Sequence, residues 1–143
     1  MQIKSRHLVI LHHLSITPQT VYSMAHGDVG MITGATEMGV HHACKALEEL
    51  GLISTKSQRK GARTVQVKSA TKKGKQHLKS VRAEPMKELP SSLCDFYVLD
   101  NIKTDPSVHE ALISLMTRKR SKAKTGIAKE WYDCAINRYS KTV

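Results

Sequence analysis

Ala46-Leu47-Glu48-Glu49-Leu50-Gly51-Leu52-Ile53, read together with Val67-Lys68-Ser69-Ala70-Thr71-Lys72-Lys73-Gly74-Lys75, decides the fold of this chain. Gly51 stands where a helix ends in a left-handed residue. Upstream of it, Val40, Ala43, Cys44, Leu47 and Leu50 keep to one face of a helix expected over residues 35–50. Downstream, Leu52-Ile53-Ser54-Thr55 is expected as a strand. Thr64-Val65-Gln66-Val67-Lys68 alternates as a second strand, with Val65 and Val67 on one face and Gln66 and Lys68 on the other. The connector Gln58-Arg59-Lys60-Gly61-Ala62-Arg63 reads as a hairpin tip carrying a glycine and three cations. Thr71 then offers a hydroxyl cap to a helix with Lys72, Lys73, Gly74, Lys75, His77 and Leu78.

Working outward, Ser5 is expected to cap a helix whose Leu8, Leu11 and Leu14 recur at spacing three. Thr17-Pro18 predicts the next helix, a hydroxyl cap followed by proline at the first helical position, carrying Val21, Met24 and Ala25. Residues 28–34 hold Gly30 and Gly34 and read as a loop or a short broken turn. Beyond the hairpin, Pro85 and Pro90 punctuate a linker, and Ser91 or Ser92 caps a segment with Leu93, Phe96, Val98 and Leu99. Asp105-Pro106 opens a helix with Val108, Leu112, Leu115 and Met116. Thr125 precedes a last one with Ile127, Trp131, Ala135 and Tyr139.

Composition narrows the class. The chain has 143 residues, 40% hydrophobic and 24% charged, enough for one globular domain with an appendage. Its longest aliphatic run, Leu8-Val9-Ile10-Leu11, falls far short of the roughly 18–20 residues that span a bilayer. His12 and His13 break that run, which argues against a signal peptide. Cys44, Cys94 and Cys134 form neither a C-x-x-C pair nor a disulfide framework, so a reducing cytoplasm is expected. The net charge is +11. Nine lysines and arginines and no acid lie between Lys56 and Lys79, and a second cluster comprises Arg118, Lys119, Arg120, Lys122 and Lys124. Such a balance favours a polyanionic partner, because cations that neutralise phosphates release condensed counterions.

The order helix, helix, loop, helix, cationic hairpin, helix resembles a winged helix-turn-helix. The two quoted segments resemble MarR-like transcriptional regulators: the first as the end of a recognition helix entering the wing, the second as the "strand, then T-x-x-G-(K/R)" exit from it. The likeness covers about residues 33–82. Two departures stand out: the Asp-x-Arg feature usual at a MarR wing tip is missing, and the link from Gly27 to Thr36 is longer and richer in glycine. The resemblance implies a mainly α fold with a small β-hairpin wing (α+β). It also implies a winged-helix DNA-binding domain over residues 1–82, which leaves a helical C-terminal region over 83–143. The recognition helix would enter the major groove with Thr36, Glu37, Met38, His41, His42 and Lys45 outward. Thr and His can donate to base acceptors, Glu37 can accept from a cytosine amino group, and Lys45 reaches guanine or phosphate. His42 stands where such proteins commonly have Arg. Arg59, Lys60 and Arg63 would lie at the minor groove, and Lys72, Lys73 and Lys75 on phosphates. Plainer roles stand beside these: Thr36 as a cap, Glu37 as an acid favoured at a helix N-terminus, the cationic run as a solvated face.

Other classes fit less well. Single-strand readers stack bases on aromatic side chains, and the first 80 residues hold only Tyr22. Eight histidines invite a metal, but the neighbours His12/His13 and His41/His42 point about 100° apart on a helix and do not chelate one ion. No catalytic constellation or cofactor motif stands out. The expectation is a cytoplasmic, nucleoid-associated, sequence-specific double-stranded DNA-binding transcriptional regulator, neither an enzyme nor cofactor-dependent, with no membrane partner and an unknown effector. The alternative is a winged-helix replication initiator or a DNA-architectural or packaging protein. The aromatic-rich second half predicts a homodimer through Phe96, Leu112, Leu115, Trp131 and Tyr139.

Overall fold

Helix α1 (Ser5–Ile16) runs through the middle of the fold and is apolar on two sides. Ile10, Leu11 and Leu14 face one core, and Leu8 and Val9 face another. The three-residue leucine spacing predicts a single buried face. Val9 and Ile10 are buried as well, because helices pack on α1 from both sides. The cap is Lys4 and not Ser5, whose hydroxyl instead donates to Asp95 Oδ1 at 2.7 Å. The computed structural model describes residues 3–81, 90, 92–102 and 106–140. The expectations about Pro85, Ser91, Asp105 and the boundary at 82/83 lie outside the described residues.

The larger core joins α1 to α2 (Val21–Ala25), α3 (Asp28–Thr33) and α4 (Glu37–Glu49). Met24, Val29, Val40, Ala43, Cys44 and Leu47 close it from the helices, and Leu52 and Ile53 from the chain that follows. Full burial of a Val, Leu or Met side chain contributes about 1.5–3 kcal/mol.

Two local expectations are corrected here. Thr17-Pro18 does not open a helix. Gln19 is extended and exchanges two backbone bonds with Lys68, 3.0 Å from its N–H and 2.7 Å to its carbonyl. Thr20 supplies the cap instead, its hydroxyl accepting from the Ser23 N–H at 3.1 Å. Within residues 28–34, Asp28–Thr33 form the helix α3 rather than a loop, and Gly34 ends it at φ +68°. Gly30 is there because α2 passes too close for a side chain: a Cβ would lie 1.9 Å from the Ala25 carbonyl oxygen.

Helix α4 ends as its sequence predicts. Gly51 has φ +74°, its N–H bonds the Glu48 carbonyl, and the Leu52 N–H reaches back to the Leu47 carbonyl. This double closure satisfies carbonyls that a helix end otherwise leaves open. Strands β1 (Ile53–Lys60) and β2 (Arg63–Ala70) then pair antiparallel, from Ile53 opposite Ala70 to Lys60 opposite Arg63. Both strands are longer than expected. Arg59, Lys60 and Arg63 therefore belong to the ladder, and only Gly61-Ala62 turns the corner.

The exit motif has a physical basis. The Thr71 hydroxyl accepts from the Gly74 N–H and donates to the Gly51 carbonyl, while the Thr71 N–H bonds the Leu52 carbonyl. These bonds tie the start of α5 (Lys72–Ser80) to the end of α4.

Helix α6 (Leu93–Asn101), capped by Ser92, lies on the other side of α1. Cys94 and Val98 meet Leu8 and Val9, and the Tyr97 hydroxyl meets His12 Nδ1 at 2.6 Å. Helices α7 (Pro106–Ser121) and α8 (Gly126–Ser140) fold back on each other around Leu112, Met116 and Tyr139, with Phe96 of α6 packed against them. Arg120 pairs with Asp133 across the hairpin, and Arg138 with Asp100 of α6. The fold is mainly α with one two-stranded hairpin, as expected.

Candidate nucleic-acid interface

The amphipathic pattern of α4 leaves its outer face in solvent. Thr36, Glu37, Met38, His41, His42 and Lys45 are all exposed, while Val40, Ala43, Cys44 and Leu47 are buried. Thr36 is the helix cap, its hydroxyl accepting from the Gly39 N–H at 3.2 Å. Glu37 stands 3.7 Å from His26 Nε2 on the loop after α2. The rings of His41 and His42 are 6.0 Å apart.

The wing flanks this face. Arg59, Lys60 and Arg63 are exposed at its tip. Between wing, α2 and α4 lies an open groove of about 810 Å³, lined among others by Thr20, Tyr22, His41, Lys60, Arg63 and Gln66. The α5 lysines Lys72, Lys73, Lys75 and Lys79 are all exposed, and Lys73 also donates to the Leu50 carbonyl at 2.9 Å. Its ammonium thus meets the negative end of α4.

Lys68 corrects the sequence reading most sharply. Alternation puts it on the solvent side of β2 with Gln66, yet it is buried to 8% exposure. Its ammonium donates to Glu48 Oε1 at 2.7 Å and to the Thr55 hydroxyl at 2.9 Å, and that hydroxyl donates in turn to Glu48. The last turn of α4 and the Gln19 segment cover this face of β2, so the cation is inside and paired. Eight of the nine cations in the run remain for solvent.

Burial alone would push the Glu48 carboxyl up. The hydrogen bonds from Lys68 and Thr55 outweigh it and hold the carboxyl below its ordinary value, with the charges of Lys68 and His41 adding to them. A carboxyl lowered on folding stabilises the fold fully above the ordinary glutamate range, and that contribution is lost as pH falls through the lowered value. Glu48→Gln is therefore expected to lower stability at pH 7 by about 1 kcal/mol, a charged hydrogen bond discounted for solvent screening. The difference from the parent should shrink as pH falls below the ordinary glutamate range. Thermal melts from pH 7 to 3 measure it, and parallel curves for both proteins would refute it.

Tyr22, Thr20 and Gln66 were not singled out from sequence, nor was the Glu48–Lys68 pair. Tyr22 had one available signal, as the sole aromatic of the first half. It is 65% exposed and its ring lies 4.2 Å from that of His26. The residues expected to pair subunits are divided by the fold. Leu112, Leu115 and Tyr139 are buried within the chain, and Phe96 is half-buried against Leu112 and Tyr139. These positions are consumed by the α7–α8 hairpin, and their direct reach to a second subunit is small. Trp131 is 55% exposed, and Ile127, one turn before it, is 83% exposed. Among the described residues, no helix is long and apolar enough to cross a membrane, and no three His, Cys, Asp or Glu side chains gather as a metal site.

Helix, break, two short helices, outward-facing helix, hairpin and tying helix together define a winged helix-turn-helix fold with a helical C-terminal region. No protein-family model and no curated protein matches the chain. Among solved structures it is similar to Bacillus subtilis PadR in complex with operator DNA, with a TM-score of 0.53 over 96% of this chain and 93% of that one, at 16% identity. A PadR-like transcriptional regulator from Bacillus cereus gives 0.47 over 99% and 91% at 15% identity. A Streptococcus mutans protein gives 0.46 over 95% and 92%, also at 15% identity. The first likeness extends beyond the wing into the C-terminal helices and establishes the fold; the MarR resemblance stays with the two sequence segments.

Proposed function

We propose that this protein is a sequence-specific double-stranded DNA-binding transcriptional regulator. The observation that carries the reading is the joining of α4's outer face to the cationic wing across one open groove. Helix α4 enters the major groove, where His41, His42 and Lys45 read bases and Thr36, Glu37 and Met38 border the contact. The wing reaches the minor groove with Arg59, Lys60 and Arg63. Lys72 and Lys75 hold phosphates, and Lys73 does so only by leaving Leu50. Tyr22 and Gln66 line the groove in which the backbone between the two DNA grooves would run. The operator DNA on the B. subtilis PadR of like fold supports a duplex as the ligand.

Residues 1–82 form the DNA-binding unit in this reading, and residues 83–143 pair two copies. The pairing face is the exposed Ile127–Trp131 stripe of α8, backed by the buried Leu112, Leu115 and Tyr139 and by Phe96. A dimer suits the task, since one winged helix reads only a short half-site.

Selection of duplexes from a random pool by the purified protein tests the function. A symmetric enriched motif is the expected result. A set of direct repeats would replace the regulator by an initiator, and no enrichment at all would remove sequence-specific reading.

A further inference from the structure

The last turn of α7 and the turn that leads to α8 gather Arg118, Lys119, Arg120, Lys122 and Lys124 within seven residues. Cations at a helix C-terminus often serve to complement its dipole and cap its carbonyls. Here the carbonyls are already taken: Ser121 Oγ bonds that of Arg118, the Lys122 N–H that of Lys119, and the Ala123 N–H that of Arg120. Arg120 is used within the hairpin, reaching Asp133 at 2.5 and 3.2 Å. Arg118, Lys119, Lys122 and Lys124 are exposed, and none appears in an ion pair among the described residues. Glu130, the other acid of α8, makes no ion pair there either. Capping therefore does not occupy Arg118, Lys119, Lys122 and Lys124, which stand in solvent in the last turn of α7 and the turn after it.

Position adds a second argument. Phe96 and Asp100 of α6 meet the hairpin near Leu112 and Arg138, at its other end. From Leu112 to Arg120 the helix rises roughly 12 Å. The cations thus sit on the far tip, away from the seam with the winged domain.

We infer that this tip is a second phosphate-binding surface, holding duplex DNA outside the segment gripped by α4 and the wing. The inference rests on the proposed DNA-binding function. Solvated cations grouped at one end of a hairpin can meet a phosphate backbone without reading bases.

The test uses the full chain with Arg118, Lys119, Lys122 and Lys124 all changed to Gln, which keeps helix propensity and leaves the Arg120–Asp133 pair intact. Binding is measured to a selected duplex cut to the α4–wing footprint, and to the same duplex extended by about 20 base pairs on each side, across a salt series. The parent should bind the extended duplex more tightly and with a steeper salt slope. The variant should match the parent on the short duplex and lose at least about tenfold on the extended one at roughly 0.1 M salt. Equal binding by parent and variant to the extended duplex overturns the inference. So does loss of binding to vesicles of anionic lipid with duplex binding unchanged, which would make the tip a membrane contact. Failure of the parent on both duplexes refutes the DNA-binding function itself, a result the variant does not influence.

Discussion

Gly74→Ala is expected to destabilise the fold by about 3 kcal/mol or more, the upper range for overpacking a tight site. A Cβ on residue 74 would lie 2.1 Å from the Leu52 carbonyl oxygen and 3.0 Å from Leu11 Cδ1. The leucine methyl can yield; the carbonyl cannot do so freely. Leu52 is held on one side by its N–H bond to Leu47 and on the other by the Thr71 N–H on its carbonyl. Relief requires α5 to back away from the wing base, which opens the Thr71 bond to Gly51. A loss of that size corresponds to a fall in Tm of roughly 10 °C for a chain of this length. Gly126→Ala is the control, because nothing lies within 4 Å of its added Cβ. A thermal melt of Gly74→Ala within two or so degrees of the parent (about 0.7 kcal/mol) would show that the close approach is not real.

The second large effect concerns binding. Changing Arg59, Lys60 and Arg63 together to Ala removes three exposed cations from the wing tip. Each phosphate left without its cation reduces the slope of log affinity against log salt by about 0.9. Three such phosphates reduce it by about 2.7, which at roughly 0.1 M salt is an affinity loss on the order of 500-fold relative to a 1 M reference. The loss should fall on all sequences alike, whereas His41→Ala or Lys45→Ala should change which sequence is preferred. Stability should be unchanged within about 0.5 kcal/mol, since all three side chains stand in solvent. A triple variant that binds duplex DNA like the parent, with the same salt slope, would take the wing out of the interface.

Patterns that lie within one element were legible in advance. The apolar stripe of α4, its end at Gly51 and the Thr71–Gly74 exit are local and repeat known chemistry. What depends on a distant covering element was not. Alternation says that Lys68 and Gln66 share a face of β2, but not that Gln19 and the end of α4 close over the Lys68 half of it. Gly30 looks like a loop marker until the Ala25 carbonyl is seen where its side chain would be. Leu112 and Tyr139 read equally well as a face for a partner or for α8, because burial of apolar area carries no label for which chain supplies the cover. At the site, the outward residues of α4 follow from periodicity, while the groove with Tyr22 follows only from the angle between wing and helix.

That angle is held from three directions. Glu48 at the end of α4, Thr55 on β1 and the buried Lys68 on β2 share one set of bonds, and Gln19 clasps the same stretch of β2 from outside. Duplex DNA is a screw, and neighbouring grooves face the same protein surface only at a set phase of its winding. On the proposed function, a helix and a wing tied together by these bonds would sample two points of that screw at a near-constant offset. Overwound or underwound DNA brings one groove into step and leaves the other out of it. On that reading, affinity for the proposed duplex target would depend on its torsional state as well as on its sequence.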